Sequence, residues 1–172
     1  MSKRHWEENV SVIDDCLEHN QEFVRTFAGP LPLVPARHLA VVACMDSRID
    51  VFACLGLGLG EAHVIRNAGG VVTDDVLRSL AISQRKLKTR EIIVIHHTEC
   101  GLQTFTDEAF KDELEQETGT RPTWEEKCFT EVDASVRESV QMLHDSPFLA
   151  DVEHIRGFVF EVATGALREV LL

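Results

Sequence analysis

Positive charge is scarce in this chain. Its 172 residues include 17 Lys and Arg against 29 Asp and Glu, a formal net charge of −12. No cluster of basic residues interrupts that excess. Nucleic-acid and anionic-membrane binding both depend on clustered Lys and Arg, so neither is expected. Long apolar runs are also missing. None is long enough to span a bilayer, and the opening Met1-Ser2-Lys3-Arg4-His5-Trp6-Glu7-Glu8 carries no apolar signal core. A cytoplasmic location follows as an expectation. Cysteine is present but odd in number and irregular in spacing: Cys16, Cys44, Cys54, Cys100 and Cys128. That pattern argues against a disulfide framework. Cys16, Cys54 and Cys128 are expected to be small buried hydrophobes or spectator thiols.

The length suits one domain with a real core, taken as residues 1–172. Proline is concentrated in Gly29-Pro30-Leu31-Pro32-Leu33-Val34-Pro35, which predicts an extended connector. Before it, Trp6, Val10, Ile13, Leu17, Val24 and Phe27 fall at three- and four-residue steps and predict an amphipathic helix over 6–27. Residues 1–36 thus form a helical arm and connector. The apolar face of the arm has two possible covers, its own domain or a partner subunit.

From residue 38 the pattern alternates. Continuous apolar runs at 39–44, 62–65, 92–96 and 157–162 predict buried strands, and 167–171 a short final one after a turn at 163–165. Helices are expected between them. One is capped by Thr73, with Asp74 and Asp75 in its first turn and Lys86, Lys88 and Arg90 at its end. Others are expected over 106–118 and 131–145. The fold class is therefore α/β, a mostly parallel open sheet flanked by helices.

Two segments carry the chemistry: Cys44-Met45-Asp46-Ser47-Arg48 and His97-Thr98-Glu99-Cys100. Each follows an expected strand, and open α/β sheets build their sites beyond strand carboxyl ends. Cys44, His97 and Cys100 make a soft Cys₂His donor set suited to Zn2+, with a fourth position free for water. Bound zinc lowers the pKa of such a water toward ~7. Asp46 is placed to accept a hydrogen bond from that nucleophile, and Arg48 to hold Asp46 in a forked pair. Without Arg48, Asp46 becomes a possible fourth ligand that closes the site. The plainer alternative is two core thiols beside a surface ion pair. Neighbouring His96 should point to the other face of its strand, into the core. His63 is a proton-shuttle candidate or, more commonly for such a residue, a satisfied core histidine. Gly56-Leu57-Gly58-Leu59-Gly60 misses the dinucleotide-binding spacing and precedes a strand, so a helix end and loop are expected.

These residues resemble the β-class carbonic anhydrases. That family has a Cys-x-Asp-x-Arg segment and a His-x-x-Cys-Gly segment, matched by Cys44–Arg48 and His97–Gly101. Between them its Arg-Asn-Ala-Gly loop is matched by Arg66-Asn67-Ala68-Gly69. The chain is similar to the compact branch of the family. The resemblance implies Cys44, His97 and Cys100 as zinc ligands and Asp46–Arg48 as the catalytic dyad. It also implies a pocket wall from Asn67, Ala68, Gly69 and Gly70. The implied reaction is attack of a zinc hydroxide on CO2 to give bicarbonate. The implied assembly is a homodimer exchanging N-terminal helices, or a homotetramer built from it. Longer members line the pocket with a Gln and aromatic groups that often include Tyr; this chain has no Tyr, and no equivalent Gln is placed. The compact branch also resembles hydrolases of carbonyl sulfide (COS) or carbon disulfide, in which the same site would release H2S. A third reading is a closed structural or regulatory zinc with Asp46 as fourth ligand. The 106–130 segment, unusually long after Cys100, is expected either to cover the site entrance or to make an interface.

Overall fold

The computed structural model describes residues 11–172. The chain divides into two compact units between Leu31 and Pro32. In the first, α1 spans Val12–Thr26. The Ser11 hydroxyl caps it by accepting from the Ile13 amide at 3.2 Å, Asp14 and Asp15 occupy the first turn, and Arg25 sits in the last. Val12, Ile13, Leu17, Phe23 and Val24 are all exposed, as is Phe27 just beyond the helix. Residues 6–10 of the expected helix lie outside the described residues.

The second unit holds a five-stranded sheet. Its strands are β1 (Leu39–Cys44), β2 (Ala62–Asn67), β3 (Glu91–His97), β4 (Ile155–Glu161) and β5 (Ala166–Val170). The order is β2-β1-β3-β4-β5, with the first four parallel and β5 antiparallel to β4. This is the expected mostly parallel α/β sheet. The antiparallel edge needs only the 162–165 turn, whereas each parallel step needs a crossover. Four helices complete the unit: α2 (Val51–Leu55), α3 (Asp74–Leu87), α4 (Asp107–Thr118) and α5 (Val132–His144). Thr73 caps α3 through its hydroxyl as anticipated, and the helix ends on Lys88 in the left-handed region.

Strand alternation separates two cores. Val42, Val94 and Val159 face one side, where Val76 and Leu80 of α3 and Val136, Val140 and Leu143 of α5 cover them. Val41, Ala43, Ile95 and Phe160 face the other, with Ile49, Val51 and Leu102. Fully buried side chains such as Leu80 and Leu143 each contribute about 1.5–3 kcal/mol. The central strands are thus sheathed on both faces, and their carboxyl ends are the place left for polar chemistry.

Candidate metal centre and its cavity

Register brings the two segments together. β1 and β3 are hydrogen-bonded neighbours, with Ala43 opposite Ile95, so Cys44 and His97 leave the sheet side by side. Alternation along β3 sends His97 to the same side as Ile95. Glu99, at φ 56°, turns the chain so that Cys100 comes back toward them. The Cys100 amide donates to Gln103 Oε1 at 3.1 Å, at the start of a 3₁₀ turn over Gly101–Gln103. The ligand atoms of Cys44, His97 and Cys100 all lie within 4.8 Å of one another, and all three residues are buried.

The state of His97 is decided by its other nitrogen. Nδ1 lies 2.9 Å from the Thr98 carbonyl, which can only accept, so Nδ1 carries the proton. Nε2 then presents a lone pair, yet it is buried without any hydrogen-bond partner. A buried orphan acceptor beside two thiols is costly unless something binds it. The two neighbouring sulfurs perturb one another: Cys100 beside it draws Cys44 below its ordinary value, while Cys44 and burial push Cys100 up. Burial opposes a charge on His97, but the Cys44 sulfur and the Thr98 carbonyl outweigh it and raise its pKa. The donor set of two thiols and one imidazole nitrogen fits a soft divalent cation.

Asp46 and Arg48 form the forked pair the spacing suggests. Arg48 Nε donates to Oδ1 at 2.9 Å and Nη2 to Oδ2 at 2.8 Å; the Arg48 amide adds a bond to Oδ1 at 2.9 Å. These bonds hold Asp46 well below the usual carboxylate range. Asp46 Oδ2 stands 3.8 Å from His97 Nε2. Arg48 is itself steadied by the Glu99 carbonyl at 3.0 Å. Arg66 donates to the Cys44 carbonyl at 2.9 Å and the Asp46 carbonyl at 2.7 Å, pinning the loop that carries both. In the sequence Arg66 stood out only as part of its motif; a charge near the end of an otherwise apolar strand was the available signal.

The family model for carbonic anhydrase matches residues 39–141. Over 161 residues the chain is 55% identical to "Beta-carbonic anhydrase 1" of Mycobacterium tuberculosis, covering 94% of this chain and 99% of that one. The chain belongs to the β-carbonic anhydrase family. It is an enzyme of the β-carbonic anhydrase type. Among solved structures, the carbonic anhydrase of Streptococcus mutans superposes with a TM-score of 0.89 at 43% identity, over 95% of this chain and 100% of that one. A carbon disulfide hydrolase of Acidithiobacillus thiooxidans is 37% identical over 153 residues, 77% of this chain and 76% of that one.

In this β-carbonic anhydrase the Cys44–His97–Cys100 cluster opens into a cavity of about 560 Å³. Asn67, Ala68 and Gly69 line it; Gly70, next in the chain, is buried and is not among the lining residues. Gly70 has φ 70°, and a Cβ there would sit 2.7 Å from both the Cys44 amide nitrogen and the Ile95 carbonyl oxygen. A side chain would push the wall off β1 and β3 beside the Cys44–His97–Cys100 cluster. The Gly70 carbonyl accepts from His96 Nε2 at 3.1 Å. His96 is fully buried on the opposite face from His97, and burial lowers its pKa to about 4, so it stays a neutral donor. His63 is engaged with Ser83 at 2.7 Å and does not line the cavity. Gly56 ends α2 in the left-handed region, donating back to Ala53.

The 106–130 segment is expected either to cover the entrance or to make an interface; which of its side chains reach the cavity is not legible in the sequence. Leu102, Phe105, Phe110 and Trp124 form the outer wall, so residues of the long segment after Cys100 line the cavity. Phe110 packs against Phe105 and Trp124, with ring centroids 5.2 and 6.3 Å apart. The many charges flanking them hid this face.

Proposed function

We propose that this protein hydrates CO2 to bicarbonate, with Cys44, His97 and Cys100 holding Zn2+ and the Asp46–Arg48 pair completing the reacting site. The observation that carries the reading is the buried, partnerless Nε2 of His97 facing two thiols. Zinc held there supplies a Lewis acid that lowers the pKa of a water ligand toward ~7. The protein does the rest. Asp46, kept ionised by Arg48, accepts a hydrogen bond from the nucleophile and aims it. Arg48 keeps that carboxylate turned toward itself, which supports an open fourth position over a closed structural site. Asn67 through Gly69 and the aromatic wall exclude bulk water and leave an apolar berth for a small neutral substrate. Relatedness to a carbon disulfide hydrolase and a Tyr-free, largely apolar cavity support a second reading, hydrolysis of COS or carbon disulfide at the same centre. Side-by-side kinetics on the zinc-loaded protein separate the two. The expected result is CO2 hydration with kcat/KM at least about 100-fold above that for COS; efficient H2S release with feeble CO2 hydration would overturn it.

The same reading makes 1–172 one catalytic domain with an N-terminal arm, assembled as a homodimer or homotetramer. Its support is the row of exposed apolar side chains on α1. Replacing Leu17 and Val24 together by Asp is expected to leave a monomer in sedimentation velocity; an unchanged oligomer would remove the arm from the interface. No helix among the described residues is long and apolar enough to cross a membrane. A cytoplasmic location is part of the proposal because two thiol ligands need a reducing compartment, and recovery of the protein in a secreted fraction would contradict it.

A further inference from the structure

The cavity has an unusual charge balance. Among the described residues lining it are three acids, Asp46, Glu125 and Glu126, and no Lys or Arg. Two of the acids are accounted for. Asp46 is forked with Arg48, and Glu125 is 71% exposed and paired with Lys127 at 3.4 Å. Glu126 is different. Its side chain is only 3% exposed, and neither carboxylate oxygen has a hydrogen-bond partner. Its counter-charge is Lys111 Nζ at 3.5 Å. Lys111, on α4, does not line the cavity; Glu126 does. Of the pair, the negative member is therefore the one that borders the cavity, its carboxylate buried in surroundings that screen little.

A buried ion pair is rarely a gain in stability over an apolar one, so its stabilising value is a poor explanation for its presence here. Its field has a direct chemical consequence. A neutral linear molecule such as CO2 is indifferent to it, whereas an anion entering the same space is repelled.

We infer that Glu126 is a specificity-determining residue that sets the charge selectivity of the cavity, disfavouring anionic occupants, including the bicarbonate product, relative to neutral substrate. This inference rests on the reading of the cluster as the metal centre where CO2 reacts. It places the selectivity in a residue that touches neither the metal ligands' loop nor Asp46's partners among the contacts described above. Anions would then leave quickly after turnover and inhibit weakly.

The test compares wild type, Glu126→Gln and the double variant Glu126→Gln/Lys111→Met. The glutamine keeps the shape but leaves Lys111 without its partner; the double variant removes both charges and the stray cation with them. Thiocyanate binding is read from the visible absorption of the cobalt-loaded protein, and kcat/KM for CO2 is measured on the zinc-loaded one. The ratio of thiocyanate affinity to kcat/KM is expected to rise about fivefold in Glu126→Gln and about twofold in the double variant. A ratio unchanged in both folded variants would overturn the inference. So would a parallel loss of anion affinity and turnover, which would assign Glu126 to holding the wall. A wild-type protein that takes up cobalt and binds thiocyanate but does not hydrate CO2 would refute the proposed reaction while leaving the charge selectivity measurable.

Discussion

Replacing His97 with alanine is expected to abolish zinc retention and to lower CO2 hydration by on the order of 10⁴-fold or more. The reason is local. Cys44 and Cys100 remain, but two sulfurs without the imidazole leave the ion two protein ligands instead of three. No neighbouring group is positioned to substitute, because both Asp46 oxygens are engaged by Arg48. His97 is also fully buried, so the truncation opens a hole costing about 2–5 kcal/mol. Metal per chain, measured by mass spectrometry on protein shown to be folded by circular dichroism, separates ligand loss from unfolding. A folded variant that keeps one zinc per chain would refute the assignment of His97. In the wild type, stripping zinc with a chelator should lower the melting temperature, since an ion bound only by the folded state stabilises it by mass action.

Asp46→Asn is the second large effect. The expected outcome is a fall in kcat of about 10²–10⁴-fold with zinc retained. A carboxamide cannot accept the forked pair from Arg48, nor accept a proton-bearing nucleophile as an anion does. The sign of the pH effect follows from the depressed pKa of Asp46. A carboxylate held below its unfolded value stabilises the fold above that value, and the contribution is lost only as pH falls through the lower folded one. Asp46 is thus ionised throughout the neutral and mildly acidic range. An acid limb measured in the activity profile is therefore expected to arise from groups other than this carboxyl. Zinc loss together with unfolding in Asp46→Asn would instead indicate a structural site.

Much of this was legible in the chain. Apolar runs located the strands, and the period of two separated His97 from His96. In the structure, His97 indeed faces the cluster, while His96 crosses the sheet to hold Gly70. Cys44, Asp46 and Arg48 lie within five residues, so local geometry alone almost determines how they meet. The 106–130 segment stood out by its length, but the side chains of the outer wall could not be read this way. Phe105, Phe110 and Trp124 converge through the path of a long loop and the placement of α4, and α4 has an exposed, highly charged surface in which Phe110 and Leu114 carry little periodic signal. β2 runs two residues past its apolar stretch because Arg66 and Asn67 keep pairing with β1 while their side chains serve the loops. Glu126 followed an ordinary acidic stretch; only burial distinguishes it.

X-ray absorption at the zinc edge of the loaded protein at neutral pH tests the central claim most directly. The account predicts two sulfur ligands, one imidazole nitrogen and one light fourth atom that changes when thiocyanate is added. A centre with no sulfur, or one whose four ligands are indifferent to added thiocyanate, would contradict it.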